Sequence, residues 1–405
     1  MVLLGGAGLG QLIPIAVFPI LSRIYTPEDF GVLAIFVSLA SPLAIIGTGK
    51  YEMAILLPKQ HSKAHALLRL SIGLSVLLAL IVSIGIALGL PEIANLFGIP
   101  PQQNAVMWLI PLGFIGIVVN QVYSQHLNRF GKYANMAAGK ITQAIGTAAA
   151  QIGFSLTGFG GIALAAGKLA GEWVGSAYYV LVGRRNFSSE EPPEPVKHVA
   201  NEYRKFPFFH APHALTNTVS ANIPVYLLSS LFFPGLAGLY AMSMRLCYTP
   251  VRVFTYSTVQ VFNRKASELH QQGESLRPLC RRTVTSLAKI GFLPFLALFL
   301  LAPQMFSIVL GEEWITAGYY ARYLSPFLFL VFVVSPITYV PQIFGYQLQA
   351  FLLELAHFVG RVAGILLGFY LNDPAVSIIG FSVAGILFQI TLLIWIFYIS
   401  KEKSG

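Results

Sequence analysis

Long apolar runs separated by short polar intervals dominate this chain. Each run has about the 20 residues that an α-helix needs to cross a bilayer. Strands of a membrane barrel are about ten residues long and alternate apolar with polar positions, and these runs do neither. The pattern predicts an all-α polytopic membrane protein with about twelve transmembrane helices at residues 2–21, 30–49, 66–90, 105–127, 136–158, 160–183, 206–231, 236–262, 284–309, 318–343, 347–371 and 376–399.

The first polar interval has the residue order of a helix start. Thr26 is a favoured N-cap, Pro27 suits the first helical position, and Glu28 and Asp29 fall in the first turn, where carboxylates meet unpaired N–H groups. One apolar helix therefore ends near Arg23 and the next begins at Pro27. We expect a tight helical hairpin here.

Composition agrees with a membrane protein, since 56% of the 405 residues are hydrophobic and 10% are charged, against about 25% charged in soluble domains. The net charge of +10 would suit nucleic acid, but eighteen Lys and Arg fall in the even-numbered connections and the C-terminal tail, and only Arg23 and Arg322 in the odd-numbered ones. This asymmetry predicts that both termini are cytoplasmic. The two cysteines, Cys247 and Cys280, suggest no disulfide framework.

The polar, Pro-rich stretch 184–205 divides the chain into halves. We expect an N-lobe at 1–183, a cytoplasmic linker at 184–205, a C-lobe at 206–399 and a cytoplasmic tail at 400–405. A weak internal repeat supports two six-helix lobes. In it, Pro27 and Gly31-x-x-Ala34 recur as Pro234 and Gly238-x-x-Ala241. Parallel repeats of this kind place a substrate site between halves and work by alternating access.

Eight charged residues fall inside the predicted helices. They are Lys140, Lys168, Glu172, Arg245, Arg252, Lys289, Glu354 and Arg361. Each costs on the order of 3 kcal/mol at mid-membrane even on the lenient insertion scale, so such residues usually face the bundle interior and mark a functional path. The set carries a net charge of +4, which favours an anionic ligand.

Each charge also has a structural interpretation. Lys140 and Lys289 lie near helix ends, where lysines snorkel to the membrane surface. Lys168 and Glu172 are spaced i, i+4 and suit an ion pair. Arg245 and Arg252 are seven residues apart, hence on one helix face, and have no acid on their own helix.

Polar stripes accompany these charges. One comprises Lys140, Gln143, Thr147 and Gln151; a second comprises His210, His213 and Asn217; a third comprises Glu354, His357 and Arg361. Polar helix faces inside a membrane line cavities, so we expect one here. His210 and His213 have the spacing of a metal pair, but interior hydrogen bonding is the better interpretation because no further ligand is near in sequence.

Two glycine stripes predict close helix packing and need no ligand. They are Gly167-x-x-x-Gly171-x-x-x-Gly175 and Gly360-x-x-x-Gly364-x-x-x-Gly368. The sequence has no Gly-x-x-x-x-Gly-Lys-Ser/Thr phosphate loop, and no external connection is long enough for a catalytic domain. We therefore expect neither an enzyme nor a cofactor or metal requirement.

Three segments carry a family resemblance. Residues 20–31, ILSRIYTPEDFG, and 47–59, GTGKYEMAILLPK, resemble the start of Wzx-type O-antigen and polysaccharide flippases, and 240–245, YAMSMR, resembles their eighth helix. These flippases belong to the multidrug/oligosaccharidyl-lipid/polysaccharide exporter superfamily, with MATE-type drug exporters and the lipid II flippase. The stronger part of the match covers about the first 70 residues.

The resemblance implies two six-helix lobes around a central cavity in the bacterial inner membrane. It also implies that undecaprenyl-pyrophosphate-linked oligosaccharide, an O-antigen or lipopolysaccharide precursor, moves to the outer leaflet, with a polysaccharide polymerase and a chain-length regulator as candidate partners. Arg245 and Arg252 are expected to bind the pyrophosphate, since guanidinium groups match phosphate oxygens.

Further roles follow from the same expectation. Arg361, Lys168, Lys140 and Lys289 are expected to add to the substrate site. The candidates for ion coupling are Glu172, Glu354, His210, His213 and His357. Arg23, Thr26 and Asp29 would form an external gate turn.

Two other functions compete with this one. A cation-coupled multidrug exporter of the same superfamily predicts an acid-rich cavity, whereas this one is basic. A membrane-embedded glycan polymerase or ligase predicts a large external loop with convergent catalytic groups, and the longest external connections here are short.

Overall fold

A computed structural model describes residues 2–184, 192 and 194–401, without the side chains of 2–9, 11, 12 and 256. Part of the predicted linker and most of the predicted tail lie outside these residues. Across these residues twelve long helices follow one another, and each predicted span overlaps one of them, although the helix predicted at 318–343 ends at Val334. The all-α fold class is confirmed. The twelve helices are α1 (Val2–Ile24), α2 (Pro27–Thr48), α3 (His61–Leu96), α4 (Leu109–Arg129), α5 (Tyr133–Phe154), α6 (Gly161–Arg184), α7 (Ala211–Leu231), α8 (Pro234–Gln271), α9 (Arg277–Leu310), α10 (Ile315–Val334), α11 (Gln347–Tyr370) and α12 (Pro374–Ile399).

Seven of the described helices are long and apolar enough to cross a membrane by length and composition: α2, α3, α4, α9, α10, α11 and α12. The four other helices whose side chains are described throughout or nearly so, α5 to α8, carry most of the polar stripes and five of the eight charges. Their polarity lowers their hydropathy, and it places most of the residues expected to bind substrate on these four helices.

Several helices run beyond the predicted spans. α3 has 36 residues, α8 has 38 and α9 has 34, whereas about 20 cross a bilayer. The extra turns lie mainly at polar sequence, as in Arg264 and Lys265 of α8. α3 is interrupted at Gly89, whose φ of −142° and ψ of 35° are not helical, two residues before Pro91.

The turn between α1 and α2 has the predicted N-cap, and its residues also form a second, reciprocal hydrogen bond. The Thr26 hydroxyl accepts a hydrogen bond from the Asp29 N–H (3.3 Å), and the Asp29 carboxylate accepts one from the Thr26 N–H (3.0 Å). This is a reciprocal capping box. Asp29 is buried and its Oδ1 lies 2.5 Å from where a side chain on Gly160 would begin. The turn is therefore docked on the connection between α5 and α6.

Arg322 corrects one detail of the predicted topology. It is counted above with the external connections, although it falls within the predicted span 318–343; it lies inside α10 and donates a hydrogen bond to the carbonyl of Leu300 on α9 at 2.8 Å. A long guanidinium side chain can satisfy a backbone carbonyl on a neighbouring helix.

Contacts divide the chain into two compact units, which meet in sequence between Gly238 and Leu239. The first unit holds α1 to α7 and the first turn of α8. In it, Gly167, Gly171 and Gly175 of α6 face α5, and α7 packs on α2, where the Tyr226 hydroxyl donates to the Ser38 carbonyl. The predicted glycine face of α6 is thus confirmed as a packing surface.

The second unit holds the rest of α8 and α9 to α12. Gly364 of α11 lies against Gly380 of α12, and Gly368 lies against Ser377, so the second glycine stripe is also a packing face. Serine hydroxyls tie the helices together, with Ser243 of α8 donating to the Ala317 carbonyl at 2.7 Å. The six-helix lobe boundary at 184–205 stays a prediction.

The internal repeat has a structural counterpart within the first unit. A side chain on Gly31 would overlap the carbonyl oxygen of Pro234, and one on Gly238 would overlap the carbonyl oxygen of Pro27. Each proline is the first residue of its helix and each glycine follows four residues later. The two repeat motifs therefore contact each other reciprocally, through backbone atoms that only glycine leaves accessible.

Candidate functional site

Glu172 is the centre of a polar cluster between α4 and α6. Its side chain is buried, and Oε1 lies 2.6 Å from the Lys168 amine in the predicted i, i+4 ion pair. Oε2 accepts a hydrogen bond from the Asn120 amide at 2.8 Å, and the same amide donates to the Glu172 carbonyl at 2.9 Å. We call Asn120, Lys168 and Glu172 the α6 cluster. Both carboxylate oxygens are occupied, so its ground state is a fixed ion pair.

Small residues bring the helices of the α6 cluster together. A side chain on Gly116 of α4 would lie 3.2 Å from the Cβ of Glu172, and the Ser176 hydroxyl donates to the Gly116 carbonyl at 3.1 Å. This close approach puts Asn120, one turn beyond Gly116, within reach of Glu172. Asn120 was not singled out from the sequence, although an amide inside an apolar helix is itself a signal of interhelical hydrogen bonding.

The polar stripe of α5 was predicted to line a cavity, and the structure does not bear this out; we call it the α5 stripe, and it comprises Lys140, Gln143, Thr147 and Gln151. Thr147 and Gln151 are buried against the glycine face of α6. The Gln151 amide donates to the Leu164 carbonyl (3.1 Å), and the Thr147 hydroxyl to the Gln143 carbonyl (2.8 Å). A polar side chain that satisfies backbone carbonyls needs no water. Lys140, by contrast, is exposed, and its nitrogen lies 3.4 Å from Gln143.

Arg245 and Arg252 both lie on α8 with exposed side chains, while Val251 and Thr255 of the same helix are buried. Their spacing of seven residues places them on one face, as predicted. Lys289 of α9 is exposed as well, beside Ile290 with 56% exposure.

The third stripe forms a second polar cluster, in the other unit. His357 of α11 is buried, with its ring stacked on Phe388 of α12 at 4.0 Å between centroids and 6° between planes. The Arg361 guanidinium donates to it with Nε 2.8 Å from Nε2, and Glu354 Oε2 lies 3.8 Å from Nδ1. We call Glu354, His357 and Arg361 the α11 cluster.

His210 and His213 do not engage in the interior hydrogen bonding that was expected. Both side chains are exposed, as is Asn217, and His210 stacks on Phe206 at 4.9 Å. A turn of π-helix at Phe206–His210 precedes α7 and shifts the phase of the face. Across the residues that the structure describes, no group of three or more His, Cys, Asp and Glu side chains could hold a metal ion.

The predicted gate residues divide between two elements. Thr26 and Asp29 form the capping box of α2, whereas Arg23 lies exposed in the last turn of α1. Tyr25, which the sequence did not single out, is buried and donates from its hydroxyl to the Gln151 carbonyl of α5 at 2.7 Å. The turn is therefore fixed to α5 on one side and to the α5–α6 connection on the other.

A short helix in the predicted linker, Val196–Glu202, was missed by the sequence and docks outside the membrane segments. Val199 is fully buried, the Tyr51 hydroxyl donates to the Ala200 carbonyl (2.9 Å), and the Lys63 amine lies 2.6 Å from Glu202. The hydrogen bond from Lys63 lowers the pKa of the Glu202 carboxyl. Three independent contacts make this part of the linker an ordered element.

Comparisons with known proteins identify relatives. The family described as polysaccharide biosynthesis protein matches residues 20–318. The succinoglycan biosynthesis transport protein ExoT of Rhizobium meliloti (strain 1021) is 25% identical over 311 residues, 73% of this chain and 58% of ExoT. The chain thus spans little more than half the length of that relative.

Solved structures show the same fold. An inward-facing multidrug resistance MATE transporter matches with a TM-score of 0.71 and 16% identity, covering 98% of this chain and 96% of that one. The lipid II flippase MurJ, in an inward closed conformation, matches with a TM-score of 0.71 and 15% identity, covering 98% and 87%. A MOP superfamily transporter from Pyrococcus furiosus matches with a TM-score of 0.63 and 16% identity, covering 99% of this chain and 94% of that one.

These findings confirm the resemblance drawn from the N-terminal segments. ExoT and the solved structures are named for transport or flipping, in agreement with the expectation of a transporter and not an enzyme. The family match covers most of the chain and begins within the segment ILSRIYTPEDFG. The chain belongs to the polysaccharide biosynthesis protein family.

Proposed function

We propose that this protein flips undecaprenyl-pyrophosphate-linked oligosaccharide from the cytoplasmic to the outer leaflet of the bacterial inner membrane. One observation carries the proposal: a member of a polysaccharide biosynthesis family places six basic side chains on membrane-length helices. Cations are costly there unless they pair with acids, reach the membrane surface or line the path of an anion. A lipid-linked pyrophosphate supplies both the apolar tail and the negative charge.

Arg245 and Arg252 are the proposed head-group ligands. They are exposed on one face of α8, and planar guanidinium groups bind phosphate oxygens in pairs. Lys140, Lys168, Lys289 and Arg361 would add positive charge along the path. O-antigen units or related lipopolysaccharide precursors are the proposed cargo.

Movement would follow alternating access between two six-helix lobes, separated at 184–205, with both termini cytoplasmic. The reciprocal contact of Gly31 and Gly238 supports a gate at the start of α2 and α8, because a contact between backbones can part without breaking side-chain bonds. The Thr26–Asp29 box and Arg23 would keep the α1–α2 hairpin rigid there. Glu172, Glu354, His210, His213 and His357 are the proposed sites of ion coupling, and a polymerase and chain-length regulator the proposed partners.

Transport of a fluorescent polyprenyl-pyrophosphate oligosaccharide across proteoliposomes tests the proposal. The native protein should move the lipid, and Arg245→Ala plus Arg252→Ala should reduce the rate by at least about tenfold, as the loss of roughly 1.4 kcal/mol of head-group binding would. The matched control removes two exposed arginines at the start of α9, Arg281→Ala plus Arg282→Ala, and should transport normally.

Three results would count against the proposal. If the double mutant of α8 flips as fast as the native chain, the arginines are not head-group ligands. If the control pair is equally damaged, general charge loss explains the effect. If the native chain moves no lipid-linked sugar but expels cationic drugs, it is an exporter of the kind whose fold it shares.

A further inference from the structure

Arg361 is held by an uncharged partner, which is unusual for an arginine on a membrane helix. Two of its guanidinium nitrogens lie 2.8 Å from the two ring nitrogens of His357. A neutral imidazole has one nitrogen that accepts, so one of these two contacts is a hydrogen bond and the other is a close approach, and a protonated imidazole has no accepting nitrogen. The contact between Arg361 and His357 therefore requires the neutral histidine.

A second partner for the ring is already in position. Glu354 Oε2 lies 3.8 Å from His357 Nδ1, one turn away on α11, and the Glu354 side chain is 62% exposed. A protonated ring would donate to this carboxylate and repel Arg361. Glu354 and Arg361 both lie near Nδ1, and protonation of the ring removes the nitrogen that accepts from Arg361 while it strengthens the attraction to Glu354.

The surroundings keep the ring in place while its partner changes. Phe388 of α12 stacks on His357, and the Arg361 guanidinium lies 5.6 Å from the ring centre of Phe381. The titratable groups of α8 that act on Arg361 are Tyr240 and Tyr248. The charged and titratable groups that act on the Arg361–His357 pair are therefore Glu354 and these two tyrosines, and among them and the pair only His357 ordinarily titrates near neutral pH.

Building on the proposed function, we propose that His357 is a proton-dependent latch on an anion-binding arginine. Neutral His357 holds Arg361 against the α11–α12 pair. Protonated His357, without moving, attracts Glu354 and frees the Arg361 guanidinium for a phosphate or pyrophosphate group. Proton and anion then bind with positive coupling, and because coupling between two ligands is reciprocal, bound pyrophosphate also favours protonation of His357.

Two substitutions fix the latch in opposite states. His357→Gln keeps a hydrogen-bond acceptor for Arg361 at every pH, so the arginine stays held. His357→Ala removes the acceptor, so the arginine stays free. His270→Gln makes the same exchange at a histidine of α8 that meets Phe344 edge to face, and it is the matched control.

The test measures binding of P1,P2-dimethyl pyrophosphate by calorimetry to the full chain in lipid nanodiscs, from about pH 5.5 to about pH 8, across the ordinary range of histidine titration. This diester keeps a constant charge over that range. Native protein and His270→Gln should bind about tenfold more tightly at the acidic end, a size typical of coupled ligands. His357→Gln should keep the weak affinity of the alkaline end at all pH values, and His357→Ala the tight affinity of the acidic end.

Failures of the two proposals are distinguishable. If His357→Gln retains the native pH dependence, or if both variants bind alike, the latch is refuted while the pyrophosphate site stands. If the native chain binds no pyrophosphate diester at any pH, the anion site itself is absent and both proposals fall. Thermal unfolding of each variant checks folding, and should His357→Ala not fold, His357→Gln alone decides between pH-dependent and pH-independent binding.

Discussion

The α5–α6 and α11–α12 hairpins solve the same packing problem with different polar chemistry. Each has a glycine stripe on one helix, on α6 in the first pair and on α11 in the second, and each places charged residues near the stripe. In the α6 cluster the acid is buried and both its oxygens are occupied. In the α11 cluster the acid is largely exposed, and the arginine donates a hydrogen bond to a neutral histidine ring. The same kind of glycine packing therefore accompanies a fixed ion pair in the α6 cluster and, in the α11 cluster, a histidine that can exchange one partner for another.

The largest expected effect breaks the fixed pair. Glu172→Ala would leave the Lys168 amine and the Asn120 amide without their carboxylate in the interior, and should lower the free energy of unfolding by about 3–5 kcal/mol. Glu354→Ala, on the exposed acid of the other cluster, should cost less than about 1 kcal/mol. Reversible unfolding in mixed micelles measures both. Equal losses would show that the two clusters do not differ in this way.

A smaller effect separates the two glycine stripes. Gly171→Ala places a methyl group 2.6 Å from the Thr147 backbone, and should cost about 1–3 kcal/mol because the helices must separate. Gly360→Ala meets only the Ala384 methyl at 3.4 Å, and should stay within about 0.5 kcal/mol. The same unfolding assay compares them, and a Gly171→Ala protein as stable as Gly360→Ala would contradict the close approach of α5 and α6.

The helix starts provide a third comparison, between the first residues of α2 and of α12. Thr26 is the N-cap of α2 within the proposed gate, with Asp29 bonding back to its N–H, and Asp373 is the N-cap of α12, accepting from the Ala375 N–H at 2.8 Å. Thr26→Ala plus Asp29→Ala and, separately, Asp373→Ala should each cost about 1 kcal/mol in stability. Only the first should slow flipping in proteoliposomes. Normal flipping by the α2 variant at normal protein levels would remove the turn from the gate.

The smallest effect serves as a reference outside both hairpins. The Lys63 hydrogen bond lowers the pKa of Glu202, so this pair stabilises the docked helix Val196–Glu202 above the ordinary glutamate pKa of about 4.3. The stabilisation is lost as the pH falls through the lowered pKa of the folded protein. The protection of residues 196–202 against hydrogen exchange, corrected for the intrinsic rate at each pH, should fall over that acidic window, and Glu202→Gln should remove this pH dependence. An unchanged profile in the variant would mean that another group controls docking.

Local signals predicted most of the fold. Hydropathy located all twelve helices, because a bilayer-length apolar run has few alternatives to a helix. The capping residues Thr26 and Pro27, the pair Lys168–Glu172 and both glycine stripes were readable because their partners lie within a few residues or on one helix face. Helix ends were less accurate, since polar sequence does not reveal whether a helix continues into water.

The parts of the site that failed or were missed depend on contacts distant in sequence. Asn120 and Glu172 are 52 residues apart, and no periodicity links them. The α5 stripe has the pattern of a cavity lining, but Gln151 finds the Leu164 carbonyl and needs no water. His210 and His213 share a sequence spacing that predicts one face, and the π-helical turn before α7 alters their surroundings. To predict these contacts, one must know which helices are neighbours in the folded protein.

The overlong α8 and α9 also have a practical consequence for imaging. They join through the short turn 272–276, which is tied to the end of α12 by the Ser275 hydroxyl donating to the Ser400 carbonyl at 2.8 Å, while Ala266, Leu276 and Cys280 are buried in one core. A helical carrier domain spliced in at Gly273 would continue two helices that already pack together. Such a fusion would add a rigid landmark outside the bilayer, large enough to align single particles of a 44.1 kDa chain that otherwise offers little mass beyond its lipid or detergent belt.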